Sequence, residues 1–237
     1  MKRKAFAISA LAVSAALIAG AALAQQGLNI AIATGGTGGV YYPLGGGMAN
    51  VLTKNVPGFA ATARVTGGSV DNLKLIGSQQ SEVALVMVDA ALDALKGEDK
   101  FKGSPVDVRT LMVLYPNRMH VVSMEGTGVE KMSDLKGKRV STGSPGSATE
   151  VIPAKTYPGQ DKDNKIAVVQ NILVTNASMP DKVAYDIVRT FIEKRDELVA
   201  VHGEAQSMTL DNQTPKNSPI PWHPGAVKYF TEKGIKM

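Results

Sequence analysis

The sequence predicts an α/β fold in which short buried strands alternate with helices. Two observations indicate this class: strand-like runs that are β-branched or almost continuously apolar, and helix-like stretches between them. A third observation is that glycine-rich loops repeatedly lead from a strand into a helix. This alternation predicts a largely parallel sheet with helices on both faces.

The predicted elements follow in chain order. Strands are predicted at residues 28–34, 62–66, 83–88 and 108–115, and helices at residues 44–54, 70–78 and 90–95. Further strand candidates lie at residues 120–124 and 138–142, joined through a turn at Ser133 and Asp134. Residues 167–175 form a long apolar run that is expected to cross between two lobes.

The carboxyl-terminal region predicts one more helix and a strap. Ser178 is placed to N-cap a helix with Pro180 and Asp181 in its first turn, which ends at His202 and Gly203. Its apolar face repeats at helical spacing and consists of Val183, Ala184, Ile187, Val188, Phe191, Ile192 and Leu198. Residues 218–225 contain three prolines, so they are expected to lie over the domain as an irregular strap.

The amino terminus has the pattern of a cleavable secretory signal. Lys2, Arg3 and Lys4 precede an apolar run over residues 5–24, which ends in the small-x-small triplet of residues 22–24. A membrane anchor is the alternative, because twenty apolar residues can just span a bilayer. Removal of the signal at residues 1–24 lowers the formal net charge from +5 to about +2, so the charge gives no reason to expect a nucleic-acid partner.

Composition also narrows the chemistry. The chain has no cysteine, which excludes disulfides, a thiol nucleophile and a lipid-modified cysteine anchor. The three histidines are widely separated, and none has a second ligand at metal spacing. We therefore predict neither a cofactor nor a metal.

Seven glycines lie among the fourteen residues 34–47, where a predicted strand leads into a predicted helix. A helix start exposes unpaired N–H groups that attract anions, and glycine lets a ligand reach the backbone. Neither nucleotide motif fits, because no Gly-Lys-Ser/Thr follows, and Tyr41 occupies the third required glycine position of the dinucleotide fingerprint. The alternative is that the glycines only make a tight turn and close helix packing.

The same construction occurs twice more. Residues 66–73 place two glycines and a predicted N-cap, Ser69, after a strand, and residues 141–150 end in a capping box of Ser147 and Glu150. In open parallel sheets such loops meet at the rim formed by the carboxyl ends of the strands, where ligands bind. Three converging loops would offer a carboxylate several charge-assisted hydrogen bonds.

Across nearly all of the chain after the signal, the sequence resembles the TAXI-type solute receptors of TRAP transporters. The motifs that carry this resemblance run in family order: IATGGTGGVYYPLGGGMA, TGGSVDNLKLI, VALVMVDAA, DLKGKRVSTGSPGSATEV, IPAKTYPGQDKD, NILVTNASMPDKVAYDIVRTFIEKRDEL and SPIPWHPGAVKYFTEKG. The resemblance implies a type II periplasmic-binding-protein-like fold with two α/β lobes, a hinge and a cleft. It also implies a periplasmic location, a small anionic solute such as glutamate, a related amino acid or a dicarboxylate, and TRAP membrane permease subunits as partners.

The resemblance also implies the site residues. In the first lobe these are Gly36, Thr37, Gly38 and Tyr41, with Ser69 and Asn72 behind them and Asp89 placed to meet an amino group. In the second lobe they are Ser144, Gly146, Ser147 and Thr149. Two alternatives stay open: Tyr41 and Tyr42 can be packing residues at a helix start, and Asp89 can be a helix cap.

The resemblance implies that this chain is shorter than the TAXI-type receptors. Pro153 closely follows the capping box and disfavours a helix there, and the resemblance implies a deleted block of the second lobe at this point. The predicted organisation is a first lobe at residues 25–115, a truncated second lobe and return strand at residues 116–175, and a segment at residues 176–237 that packs back on the lobes. The sequence thus predicts a binding protein rather than an enzyme. The alternatives are a ligand-sensing or inert remnant with an incomplete cleft and, remotely, a hydrolase that uses Ser144.

Overall fold

A computed structural model describes residues 27–118, 123–124, 126–137, 148–152 and 164–237. Their strands form one mixed sheet with the order β2-β1-β3-β6-β4, and β5 pairs with β6 outside this path. The strands are β1 (Leu28–Ala33), β2 (Phe59–Arg64), β3 (Val83–Met87), β4 (Val108–Arg118), β5 (Ala148–Ile152) and β6 (Asn164–Asn176). β1 pairs in parallel with β2 and β3, whereas β6 runs antiparallel to β3, β4 and β5.

Helices cover both faces of this sheet. They are α1 (Tyr41–Asn55), α2 (Ser69–Gly77), α3 (Val88–Lys96), α4 (Asp181–Glu193), α5 (Arg195–Val201) and α6 (Pro224–Glu232). In the part of the chain that the structure describes, no helix combines the length and the apolar character needed to cross a membrane.

Side chains that alternate between the two faces of the sheet form two separate hydrophobic cores. In β3, Leu85 belongs to the core that contains α1, α4, α5 and α6, whereas Ala84 and Val86 belong to the core beneath α2 and α3. Leu173 and Val174 of β6 divide in the same way. Because successive strand residues point to opposite faces, a run that is apolar throughout must be covered on both sides. The predicted α/β class is confirmed, whereas the predicted largely parallel sheet is wrong, because β6 runs antiparallel to β3, β4 and β5.

The carboxyl-terminal strap, predicted only to lie over the domain, lies against β4. The Thr110 N–H donates to the Pro221 carbonyl at 2.8 Å, and the His223 N–H donates to the Thr110 carbonyl at 2.9 Å. Ile220 and His223 are buried, and His223 then caps α6 by accepting a hydrogen bond from the Gly225 N–H. The strap thereby pairs with β4 and covers this edge of the sheet.

Several local predictions were wrong. Ser178 does not cap α4: Pro180 is the N-cap residue, and the Ser178 hydroxyl bonds instead to Asn176 Oδ1. The single helix predicted from Ser178 to His202 breaks at Lys194 into α4 and α5. Strand β2 begins at Phe59 rather than at residue 62, because Phe59 pairs with Leu28 at the start of β1.

The capping box predicted at Ser147 and Glu150 does not begin a helix. Residues 148–152 form β5, which pairs along the first five residues of β6. An antiparallel partner supplies the backbone hydrogen bonds that a one-turn helix before Pro153 could not maintain. The predicted strands at residues 120–124 and 138–142 lie largely or wholly outside the described residues. The predicted division into lobes stays a prediction.

Candidate functional site

A cleft of about 560 Å³ opens at the carboxyl ends of the parallel strands. Its walls come from the loops after β1 and β2, the first turns of α1 and α2, the ends of β3 and β4, and the middle of β6. The lining residues are Gly35, Gly36, Gly39, Val40, Tyr41, Gly67, Gly68, Ser69, Val70, Asp71, Met87, Tyr115, Asn117 and Asn171. In the order β2-β1-β3-β6-β4, the connection from β1 leads to β2 on one side, whereas the connection from β3 leads to β4 on the other side. Open α/β sheets bind ligands at such a reversal, between β1 and β3 here.

The start of α1 is an uncapped helix terminus beside this cleft. Its N-cap residue, Val40, has no side-chain capping hydrogen bond, and the first turn contains no acidic residue. Val40 and Tyr41 both line the cleft. Because the first N–H groups of a helix have no partner inside the helix, this terminus is suited to an anion.

The glycines inside α1 and those in the loop after β1 have different surroundings. A methyl group on Gly45 would overlap the Thr34 side chain, and one on Gly47 would lie 3.0 Å from Val201. By contrast, added methyl groups on Gly36 and Gly38 would meet no atom within 4 Å, and neither residue has a positive φ. Gly45 and Gly47 therefore serve packing, whereas Gly36 and Gly38 leave open space at the loop.

Asn72 fastens the two glycine loops to each other. Its fully buried side-chain amide donates to the Thr34 carbonyl at 2.5 Å and to the Leu85 carbonyl at 2.7 Å. The Thr66 hydroxyl donates to Asn72 Oδ1 at 2.6 Å. One side chain thus joins the end of β1, the loop after β2 and strand β3.

Ser69 supports the wall in a way that differs from the prediction. Gly68, with φ of 110°, is the N-cap residue of α2, so the predicted Ser69 cap is wrong. Only glycine adopts such a backbone readily. Ser69 instead lies in the first turn, and its hydroxyl accepts a hydrogen bond from the Met87 N–H at 3.0 Å. This bond anchors the end of β3 to the cleft.

Tyr41 reaches across to strand β6. Its hydroxyl donates to Asn171 Oδ1 at 2.5 Å, and the Asn171 amide donates to the Tyr115 carbonyl at 3.2 Å. Burial raises the pKa of Tyr41 well above its ordinary value, the Asp89 charge acts in the same direction and the Ser69 hydroxyl opposes them. The phenol therefore stays a protonated hydrogen-bond donor throughout the physiological range.

The carboxylate on the cleft is Asp71 rather than the predicted Asp89. Asp71 is an exposed lining residue whose Oδ2 accepts a hydrogen bond from the Gly67 N–H at 3.1 Å. Asp89 is half-buried in the first turn of α3, where its Oδ1 accepts a hydrogen bond from the Ala90 N–H, but Met87 is the N-cap residue, so the capping alternative is wrong as well. Burial raises the pKa of Asp89, and the Ala90 N–H partly opposes this effect.

The structure brings together only part of the predicted site. Gly36 and Tyr41 line the cleft with Ser69, whereas Thr37 and Gly38 are exposed beside it. Ser144, Gly146 and Ser147 lie outside the described residues, and Thr149 falls within β5. Their roles stay predictions.

Sequence analysis missed four polar lining residues: Asp71, Tyr115, Asn117 and Asn171. Asn171 had a usable signal, because it is a polar residue within the apolar run of residues 167–175. Asp71 lies within the glycine loop motif that was already singled out. Among the described lining residues, Asp71 is the single charged side chain, so backbone N–H groups and neutral polar side chains would have to hold an anion.

The sheet order and the cleft at its rim define an α/β fold with an open cleft at the carboxyl ends of its parallel strands. The chain belongs to the NMT1-like family, whose sequence profile matches residues 32–152 and 148–234.

Solved structures with a similar fold include two described as TRAP periplasmic solute-binding proteins. The one from Shewanella oneidensis, with bound succinate, is 9% identical and has a TM-score of 0.39, over 87% of this chain and 91% of that chain. The one from Anaerococcus prevotii, with bound α/β D-glucuronate, is 12% identical and has a TM-score of 0.37, over 86% and 92%. A mutant of OxyR from Corynebacterium glutamicum, with bound hydrogen peroxide, is 11% identical with a TM-score of 0.41, over 98% and 80%. All three are distant similarities of fold.

Proposed function

We propose that this protein is a non-enzymatic periplasmic receptor of the TAXI type, which captures a small carboxylate and delivers it to TRAP membrane permease subunits. The observation that carries the proposal is the uncapped start of α1 beside Gly36, where open space lies against the backbone. Backbone N–H groups in such a place can donate directly to a carboxylate. Membership of the NMT1-like family and the sequence motifs support the same assignment.

Within this class of solutes, the charges favour an amino acid such as glutamate over a plain dicarboxylate. The start of α1 suits a carboxylate, and Asp71 at the start of α2 suits an ammonium group. No lysine or arginine is among the described lining residues, so an ammonium group on the solute, which a plain dicarboxylate lacks, would have to balance the Asp71 carboxylate. The Tyr41 hydroxyl and the Asn171 amide add neutral polar groups to the same cleft.

The test is a calorimetric titration of the protein with glutamate, glutamine, 2-oxoglutarate and succinate. We expect the two amino acids to bind and succinate to bind at least tenfold more weakly. Asp71→Asn should weaken amino-acid binding and strengthen succinate binding. Asp99→Asn, shortly after the end of α3, is the matched control and should change neither. If Asp71→Asn leaves the order of affinities unchanged, the ammonium role of Asp71 is wrong.

A second candidate is a remnant whose cleft cannot close. Between β4 and β6, the described residues contain one strand, β5, and one short helical turn at Met132–Leu135. The deleted block that the family resemblance implies at Pro153 supports this candidate. A protein that unfolds cooperatively but binds none of the four solutes would favour the remnant over the receptor.

A further inference from the structure

A second cavity, of about 250 Å³, lies at the opposite end of the sheet from the glycine loops. It is lined by the start of β1, by Ser81 and Glu82 just before β3, by the end of β6 and by the first turn of α4. Strands β3 and β6 separate the two sites: Met87 and Asn171 line the cleft, whereas Glu82 and Thr175 line the cavity. Four or five strand residues correspond to roughly 13–17 Å.

Ser81 supplies an unused hydrogen-bonding group at this cavity. The residue is only 2% exposed, and its hydroxyl oxygen has no hydrogen-bond partner among the described residues. A buried hydroxyl without a partner costs about 1–3 kcal/mol, so such groups are rare unless something fills the space beside them. The neighbouring polar side chains are already engaged: the Thr175 hydroxyl donates to the Glu82 carbonyl, and the Ser178 hydroxyl donates to Asn176 Oδ1.

Glu82 gives the cavity its charge. One of its carboxylate oxygens, Oε2, accepts a hydrogen bond from the Ala31 N–H at 2.7 Å, and no cationic side chain of the described residues forms an ion pair with it. No lysine, arginine or histidine is among the lining residues. The rest of the wall is largely apolar and includes Ile30, Met179 and Val183. The cavity therefore combines a single negative charge and an unpaired hydroxyl with an apolar wall.

We propose that this cavity is a second ligand site, which binds a small amphipathic primary amine. The ammonium group would donate to the Glu82 carboxylate and to the Ser81 hydroxyl oxygen, while the apolar part would lie against Ile30, Met179 and Val183. The size is suitable, because a dry apolar cavity of ~150 Å³ already accommodates benzene. Unlike the cleft, the cavity has a largely apolar wall, so the two sites would take different ligands.

The probe for this proposal is benzylamine, with benzyl alcohol and benzoate as isosteres of different charge. In an NMR titration of the unaltered protein, we expect benzylamine to shift the backbone amide signals of Ser81, Glu82 and Val183 in a saturable manner. Benzyl alcohol should bind more weakly, and benzoate should not bind. If none of these signals moves at millimolar concentration, the cavity holds only water and the proposal is wrong.

Variants then test the two polar groups. Glu82→Gln keeps an oxygen for the Ala31 N–H but removes the charge, so benzylamine should bind at least tenfold more weakly. Ser81→Ala should weaken binding severalfold without loss of folding, because its hydroxyl bonds to no described residue. Gly36→Val, in the other site, should leave benzylamine affinity unchanged. Unaltered affinity in Glu82→Gln, or benzoate binding as tight as that of benzylamine, would overturn the proposal.

Discussion

The Tyr41 hydroxyl donates a 2.5 Å hydrogen bond to Oδ1 of Asn171, which joins the first turn of α1 to the middle of β6. Asn171 is 1% exposed, so without this bond its oxygen would lose a buried partner. We therefore expect Tyr41→Phe to lower the free energy of unfolding by about 1–3 kcal/mol and to weaken solute binding.

Tyr229→Phe is the matched control for Tyr41→Phe. The Tyr229 hydroxyl is buried and has no hydrogen-bond partner among the described residues. Its removal should leave stability unchanged or raise it by about 1 kcal/mol. Urea unfolding of both variants gives the comparison. Equal losses of stability would show that the Tyr41–Asn171 bond contributes nothing specific.

Asn72 should be among the most sensitive positions of the cleft. In Asn72→Asp, a buried carboxylate would face the Thr34 and Leu85 carbonyl oxygens, to which the present amide donates. We expect a loss of at least about 3 kcal/mol in the free energy of unfolding. Asn55→Asp, which removes a single half-exposed bond to the Val51 carbonyl, should cost about 1 kcal/mol or less. Similar losses in both would contradict the role of Asn72 in joining the loops.

The neighbouring glycines Gly45 and Gly46 should respond in opposite ways to alanine. A methyl group on Gly45 would overlap Thr34 Cγ2, so Gly45→Ala should destabilise the protein by about 1–3 kcal/mol. A methyl group on Gly46 would meet nothing within 4 Å, so Gly46→Ala should stabilise α1 by about 0.5–1 kcal/mol. The two melting temperatures decide the matter, and a shift of both in the same direction would contradict the packing of α1 on β1.

His223 makes stability depend on acid pH. Its Nδ1 accepts a hydrogen bond from the Gly225 N–H, and its Nε2 therefore carries the proton that bonds to the Met179 carbonyl. Burial lowers the pKa of His223, although the Met179 carbonyl partly opposes this effect. The folded state thus favours the neutral ring. The stability that the neutral His223 ring contributes is complete above the pKa of histidine in the unfolded chain, about 6.5. It is lost as the pH falls towards the lower pKa of His223 in the folded protein.

Urea unfolding at pH 7.5, 6.0 and 5.0 tests this dependence. We expect a smaller fall in stability with acid for His223→Asn than for the unaltered protein. Asparagine can still accept a hydrogen bond from the Gly225 N–H, but it does not titrate. An identical fall in both proteins would rule out His223 as the cause.

Local pattern predicted most of the sheet and its helices, because strand runs such as β3 are apolar enough to require cover on both faces. Local pattern failed where tertiary contacts decide the outcome. Ser178 has the side chain of a good cap, yet its hydroxyl bonds to Asn176, and residues 148–152 pair with β6 instead of beginning a helix.

The candidate site was predictable only in its loops. Glycine and hydroxyl residues after β1 and β2 indicated the rim directly from the sequence. Asn171 could not be placed there, because it reaches the cleft through the antiparallel register of β6 beside β3 and β4. The register depends on long-range pairing that no local pattern encodes.

The most direct test of the receptor account is a calorimetric titration of glutamate into Gly36→Val and Gly46→Ala. Gly36 lines the cleft, and neither its φ nor any contact within 4 Å would oppose a side chain there, so the fold should survive the change. We expect Gly36→Val to bind glutamate at least a hundredfold more weakly with its melting temperature nearly unchanged, and Gly46→Ala to bind as the unaltered protein does. Undiminished glutamate affinity in a folded Gly36→Val protein would contradict the claim that the loop backbone holds the solute.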